Sequence, residues 1–140
     1  MQWRRPRIAL TLGDPAGIGP EIVCAALFAL PEIAARVTVF GDAHVGEKLP
    51  AHTRLEVVST LDAADRRPGQ PTQAGGAAQI QYLEAAVHAA KSGHIDALVT
   101  APIHKGHARA AGFAFDGHTD FLAAAFGVPE VAMMFVGPKL

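Results

Sequence analysis

A chain of 140 residues, half of them hydrophobic, is long enough to form one globular domain with a sizeable core. Twelve Lys and Arg against thirteen Asp and Glu leave a formal net charge of -1 and a pI near 6.6, so no broad basic surface is available for nucleic acid or an anionic membrane. Arg4, Arg5 and Arg7 cluster near the start without a long apolar stretch behind them, which fits neither a signal peptide nor a membrane anchor and gives an expectation of a cytoplasmic location. The single cysteine, Cys24, cannot form an internal disulfide and fits a reducing compartment. It lies in the apolar run Ile22 to Leu27, where a buried, inert thiol is the expectation.

In chain order, Arg7 to Leu12 (RIALTL) reads as a buried strand ending at Gly13. A helix is expected from Pro20, at its first position, to about Leu30 before Pro31, with Glu21 complementing the dipole. Arg36 to Phe40 (RVTVF) reads as a second strand closed by Gly41-Asp42, and Leu55 to Val58 as a weaker third. Asp62 to Gly76 is polar and rich in Pro, Gly and Gln, the composition of a mobile loop. Ile80, Leu83, Val87 and Ala90 recur at helical spacing within Ala77 to Lys91, and Gly93 supplies a stop. Asp96 to Thr100 is the next strand, followed by short helices around His107 to Ala111 and Thr119 to Phe126. Val131 to Val136 (VAMMFV) reads as a final apolar strand, with Gly137 to Leu140 beyond it. Alternating strands and helices predict an α/β fold with a mostly parallel sheet, a single unit over residues 1–140. The final apolar strand has no helix after it, so that unit is expected to be incomplete.

Polar residues concentrate on two glycine-bearing loops that follow strands, which is where open α/β folds place ligand sites. Gly13, Gly17 and Gly19 form a G-x-x-x-G-x-G run between strand and helix. It matches neither the dinucleotide fingerprint nor the P-loop, and a tight structural turn and an anion site remain equal readings. His104, His107, His118 and Asp120 lie close in sequence, but their spacing matches no standard zinc pattern, so no metal site is expected within the chain. His44, His52, His88 and His94 are expected on solvated surfaces. Gly117 allows close approach to a ligand, and Thr119 is expected to cap the helix that follows; substrate contact and a purely local role are equal readings for His118 and Thr119. Lys105 follows a strand and a proline turn, where an ammonium can meet an anion or simply face solvent.

Leu10 to Ile22 (LTLGDPAGIGPEI), Ala97 to Gly106 (ALVTAPIHKG), Ala111 to Ala123 (AGFAFDGHTDFLA) and Val131 to Met134 (VAMM) resemble, in register, the 4-hydroxythreonine-4-phosphate dehydrogenase family of vitamin B6 biosynthesis. The resemblance implies a fold similar to isocitrate and isopropylmalate dehydrogenases and a homodimer with sites between subunits. It implies oxidation of 4-phosphooxy-L-threonine with NAD (or NADP), the 3-oxo acid losing carbon dioxide to give 3-amino-2-oxopropyl phosphate on the way to pyridoxal phosphate. A divalent metal (Zn, Mg or Co) would act as a Lewis acid. The family's substrate-contacting Gly-His-Thr motif falls on His118 and Thr119, and Lys105 stands in a family motif as a further substrate-binding candidate.

The resemblance also carries departures. Asp120 stands where the family usually has Glu, and His104 where it often has Asn before the motif lysine. Both suit a sister dehydrogenase acting on another phosphorylated sugar acid, such as a 4-phospho-threonate or -erythronate. Family members are more than twice as long, and their metal-binding histidines lie beyond the matched motifs. The chain is therefore expected to be the amino-terminal portion of such an enzyme, inactive alone, with the metal bound by residues beyond this chain. The rival expectation is a non-catalytic binding module that keeps the fold.

Overall fold

The computed structural model describes residues 4–137. Four parallel strands, β1 (Ile8–Thr11), β2 (Val37–Asp42), β3 (Arg54–Ser59) and β4 (Ala97–Thr100), form a sheet in the order β3-β2-β1-β4. The short central strand β1 is apolar and paired on both sides, Leu10 lying opposite Val39 of β2 and... Val99 of β4 in the same register row. Its start is tied to β4 by Asp96, whose carboxylate accepts from the backbone N–H and guanidinium of Arg7 and from Arg4. Arg4 and Arg7 thus serve strand registration.

The two sheet faces are covered unequally. Helix α3 (Gln73–Lys91) contacts all four strands, its buried stripe running through Ala78, Gln79, Tyr82, Leu83, Ala86 and Val87. Helix α1 (Gly19–Ala29), followed by the single turn α2 (Pro31–Ala34), lies on the other face, where Ala26 and Leu27 border an apolar groove with Ile8, Leu10, Val37 and Val99. It covers the middle strands only, so Val57 on β3 and Val99 on β4 remain half exposed. A second core joins α3 to α4 (Lys105–Ala110) and α5 (His118–Phe126) through Leu83, Val87, Ala108, Phe113 and Phe121. Among the described residues no helix is long and apolar enough to cross a membrane.

Asp42 ends β2 in the interior and accepts from Leu61 N at 2.7 Å, Ser59 Oγ at 2.9 Å, His44 N at 3.2 Å and the His44 ring at 2.7 Å. Burial alone would raise its pKa, but these bonds to the ionised form outweigh it and hold the carboxyl below its ordinary value. Ser59 Oγ also pairs with Tyr82 Oη at 2.7 Å, which links this carboxylate to α3. His44 is consequently half buried and bonded, where a solvated surface was expected; His52, His88 and His94 are exposed. Cys24 is partly buried beside the core, and burial raises its pKa, which favours the inert thiol.

Three expectations need correction. The stretch from Asp62 to Gly76 is no free loop: Ala63–Arg66 is a 3-10 turn, Gly69 N donates to Ala16 O at 2.8 Å, and α3 begins at Gln73. Thr72 starts that helix early by accepting from Gly75 N at 3.1 Å while donating to Asp65 at 2.8 Å. Composition could not expose a bond between residues seven apart. Val131 to Val136 forms no strand, and Met133, Met134 and Phe135 are each more than three-quarters exposed. A strand needs a neighbour for its backbone groups, and apolar β propensity does not supply one. Of the last residues, 138–140 lie outside those described. Helix starts also moved by one or two residues, with Gly19 rather than Pro20 first in α1 and Lys105 first in α4.

Thr72→Ala should lower stability by about 1 kcal/mol through loss of the cap, whereas Thr72→Ser should retain most of it. Urea unfolding of the three proteins measures this; equal midpoints for wild type and Thr72→Ala would remove the cap from the account.

Candidate functional site

Strand order reverses between β1 and β4, so the crevice at their carboxyl ends is the topological switch point of the sheet. The two loops that leave these strands touch. Asp14 N donates to Pro102 O at 2.9 Å, and Gly13, with φ of 72°, has no room for a side chain because a β-carbon would collide with Pro102 O. A β-carbon on Gly19 would collide likewise with Leu12 O. Two of the three glycines in the run are thus required by packing within the protein, which favours the structural-turn reading over a phosphate cradle. Asp14 is buried and accepts from Ala16 N at 2.9 Å, holding the turn closed.

After β4 the chain enters α4 through His104, whose Nδ1 accepts from His107 N at 3.2 Å and so caps the helix. The two imidazoles meet edge to face with centroids 4.6 Å apart, an arrangement in which they cap and pack. Among the described residues no group of three His, Cys, Asp or Glu side chains could hold a metal ion. His118 and Asp120 do not complete one among these residues.

The Gly117 loop is brought to the same place by aromatic packing. Phe113, Phe115 and Phe121 stack with centroids 5.4 to 5.5 Å apart, bracketing Gly117 from both sides in sequence. Gly117 itself, in extended conformation, is the cap residue of α5, and no side chain caps that helix. The expectation that Thr119 caps it is corrected: Thr119 is the second helical residue, and it is exposed. The reason is that His118 already has helical geometry, which moves the boundary ahead of Thr119.

Lys105 and the Gly117-His118 pair converge. A β-carbon built on Gly117 would stand 3.7 Å from both Cε and Nζ of Lys105, so the ammonium lies over this loop. His118 is half buried, and its Nε2 is enclosed without a hydrogen-bond partner. Burial lowers its pKa, and the Lys105 charge lowers it further. The resulting set is a neutral imidazole with an unused nitrogen, a cation, and the exposed Thr119 hydroxyl at the first turn of a helix. Such a set can accept an anionic, hydroxyl-bearing small molecule.

Sequence reasoning missed two buried groups here. Gln79 of α3 bonds to the backbone of His104, and its signal was a lone amide within an apolar helical stripe. Thr11 Oγ1, at the end of β1, is buried and unpartnered, and nothing in local sequence marks that. A cavity of about 930 Å³ lies at the opposite, amino ends of the strands between Arg54, Glu56, His88 and Ser92, away from this convergence.

The depressed His118 value has a sign that can be checked. The unfolded chain takes up the proton first, so the stability associated with neutral His118 is whole above the ordinary value of 6.5 and is lost as pH falls through the lower folded value. Asp42 and Asp96, both held below 3.8, lose their contributions at lower pH. Urea unfolding between roughly pH 7 and pH 5 should therefore show a loss of stability that is smaller in His118→Gln. The same loss in both proteins would mean that the imidazole is not held neutral.

Comparison with known proteins bears on the same residues. A 4-hydroxythreonine-4-phosphate dehydrogenase of Acidithiobacillus ferrooxidans is 40% identical over 157 aligned positions, covering 96% of this chain and 46% of that protein. The crystal structure of a 4-hydroxythreonine-4-phosphate dehydrogenase from Burkholderia phymatum matches with a TM-score of 0.81 at 34% identity, over 98% of this chain and 48% of that one. A terephthalate 1,2-cis-dihydrodiol dehydrogenase from Burkholderia xenovorans matches with a TM-score of 0.73 at 31% identity, over 90% of this chain and 42% of that one. The chain thus spans a little under half the length of the relatives it matches. The family model described as pyridoxal phosphate biosynthetic protein PdxA matches residues 17–140, a stretch that holds the loop after β4 and the Lys105–His118 convergence, and the chain belongs to that family.

Proposed function

We propose that this chain, as a single α/β unit, supplies part of the substrate site of an NAD- (or NADP-) dependent dehydrogenase acting on a small phosphorylated alcohol, 4-phosphooxy-L-threonine, in pyridoxal phosphate biosynthesis. The observation that carries the reading is the Lys105 ammonium lying over the Gly117-His118 loop beside an enclosed, unpartnered His118 Nε2. In this reading Lys105 attracts the anionic end of the substrate, and His118 and Thr119 bond its polar groups. A divalent metal, when bound, would supply Lewis acidity for alcohol oxidation and loss of carbon dioxide. The described residues do not fit that metal, so its ligands belong to residues other than these. The working form is proposed to be a homodimer, which the half-exposed Val57 and Val99 would favour.

A second reading keeps the chemistry and changes the substrate to a phosphorylated sugar acid such as a 4-phospho-threonate or -erythronate. Asp120 and His104 in place of the usual family residues favour it.

Calorimetric titration of the 140-residue chain with O-phospho-L-threonine, L-threonine and 4-phosphoerythronate tests both readings. Binding that requires the phosphate, and that weakens about tenfold or more in His118→Ala and Lys105→Ala, is expected from loss of a hydrogen bond to a charged group. Thr119→Ala should weaken binding while changing stability by less than about 0.5 kcal/mol, because the exposed hydroxyl caps nothing. Equal affinity in wild type and His118→Ala would remove His118 from the site. With NAD and added divalent metal, the chain alone is expected to form no NADH above a protein-free control, since the described residues offer no metal seat; turnover would overturn the division of the site.

A further inference from the structure

Gln79 has a role that neither the sequence motifs nor the family relationship assigns. Its side chain is 1% exposed, on the face of α3 that packs against α4. The Oε1 atom accepts from His104 N at 2.7 Å, and Nε2 donates to His104 O at 3.4 Å, so one amide grips both backbone groups of one residue. His104 is the cap of α4, its carbonyl also accepts from Ala108 N at 2.9 Å, and Lys105 is the next residue. One turn earlier on α3, Gly76 lies so close to α4 that a β-carbon would meet His107 O at 2.5 Å. Helix α4 is therefore held at its first turn by a polar grip and by direct backbone contact.

An interior amide costs free energy unless both its donor and its acceptor are used. Here both are spent on a loop residue, where a buried apolar side chain would carry no such cost. The gain lies in placement. His104 cannot slide along α3 without breaking both bonds, and the direction in which Lys105 leaves the helix is set with it.

We propose that Gln79 is a positioning residue, clamping the His104 backbone so that the Lys105 ammonium stands over Gly117 and faces His118. Its functional meaning rests on the reading of Lys105 and His118 as substrate contacts. The clamp itself is independent of that reading.

The test is an NMR pH titration of the His118 ring in the 140-residue chain, assigned with His118→Gln. Lys105→Met removes the neighbouring charge and should raise the protonation constant of His118 roughly threefold or more. Gln79→Met, equal in length but without hydrogen-bonding groups, should raise it in the same direction with the protein still folded. Adding Gln79→Met to Lys105→Met should then have little further effect, because the two act through one charge. If Gln79→Met does not fold, Gln79→Asn carries the same expectation, being a methylene too short to reach His104. A folded Gln79 variant with an unchanged His118 titration overturns the inference, as does full additivity in the double variant. Titration with O-phospho-L-threonine separates the two readings. A chain whose His118 titration moves but which binds no phosphothreonine supports the clamp and defeats the substrate assignment; binding with an unmoved titration does the reverse.

Discussion

The close contact between the loops leaving β1 and β4 is the constraint on which the remainder depends. Gly13 adopts a left-handed backbone conformation and lies against Pro102 O, and Asp14 N bonds that same carbonyl. Any side chain at position 13 would separate the loops and open the one end of the sheet where strand order reverses. With the loops together, the chain leaving β4 must turn outward at His104, over the first half of α3. Lys105 is delivered to the Gly117 loop by that turn.

Helix α3 connects the two cores and so couples fold to site. Through Tyr82 it reaches Ser59 and, beyond it, the Asp42 carboxylate at the end of β2. Through Gly76 and Gln79 it holds α4, and through Leu83 and Val87 it packs on the Phe113 and Phe121 cluster. The polar groups used for this are few and almost fully bonded, which is the condition under which buried polar groups specify one arrangement rather than loosen a core. An extended apolar helix in the same place would bind the sheet equally well. It would leave the register of α4 free.

Regular elements were legible because each repeats a local rule. Apolar β1 and the helical stripe of α3 carry their periods in the residues themselves, and the three glycine-bearing motifs mark the loops that meet at the switch point. What was illegible depended on partners distant in sequence. The start of α3 hangs on Thr72 reaching Asp65, the half burial of His44 on Asp42, and the failure of Val131 to Val136 to form a strand on the absence of pairing. Thr119 shows the limit at a single residue: a good capping side chain does not cap when the preceding residue is already helical. The alignment of Lys105 with His118 was foreseen only as two motifs, since their approach is made by Gln79 and by the phenylalanine cluster.

Among the described residues, three buried side-chain atoms have no hydrogen-bond partner, Thr11 Oγ1, Thr53 Oγ1 and His118 Nε2, and the first and last lie near the switch point. A buried polar atom without a partner costs roughly 1–3 kcal/mol, a cost that stability alone would not retain. Their positions differ in meaning. Thr11 ends β1, where the loops from β1 and β4 close over it, while His118 begins α5, beside a cation and at a helix start. Around His118, burial and then the Lys105 charge lower the imidazole pKa, so both disfavour a second positive charge there. In the proposed site, an anionic ligand would bond the unpartnered nitrogen and balance the ammonium, relieving both costs together.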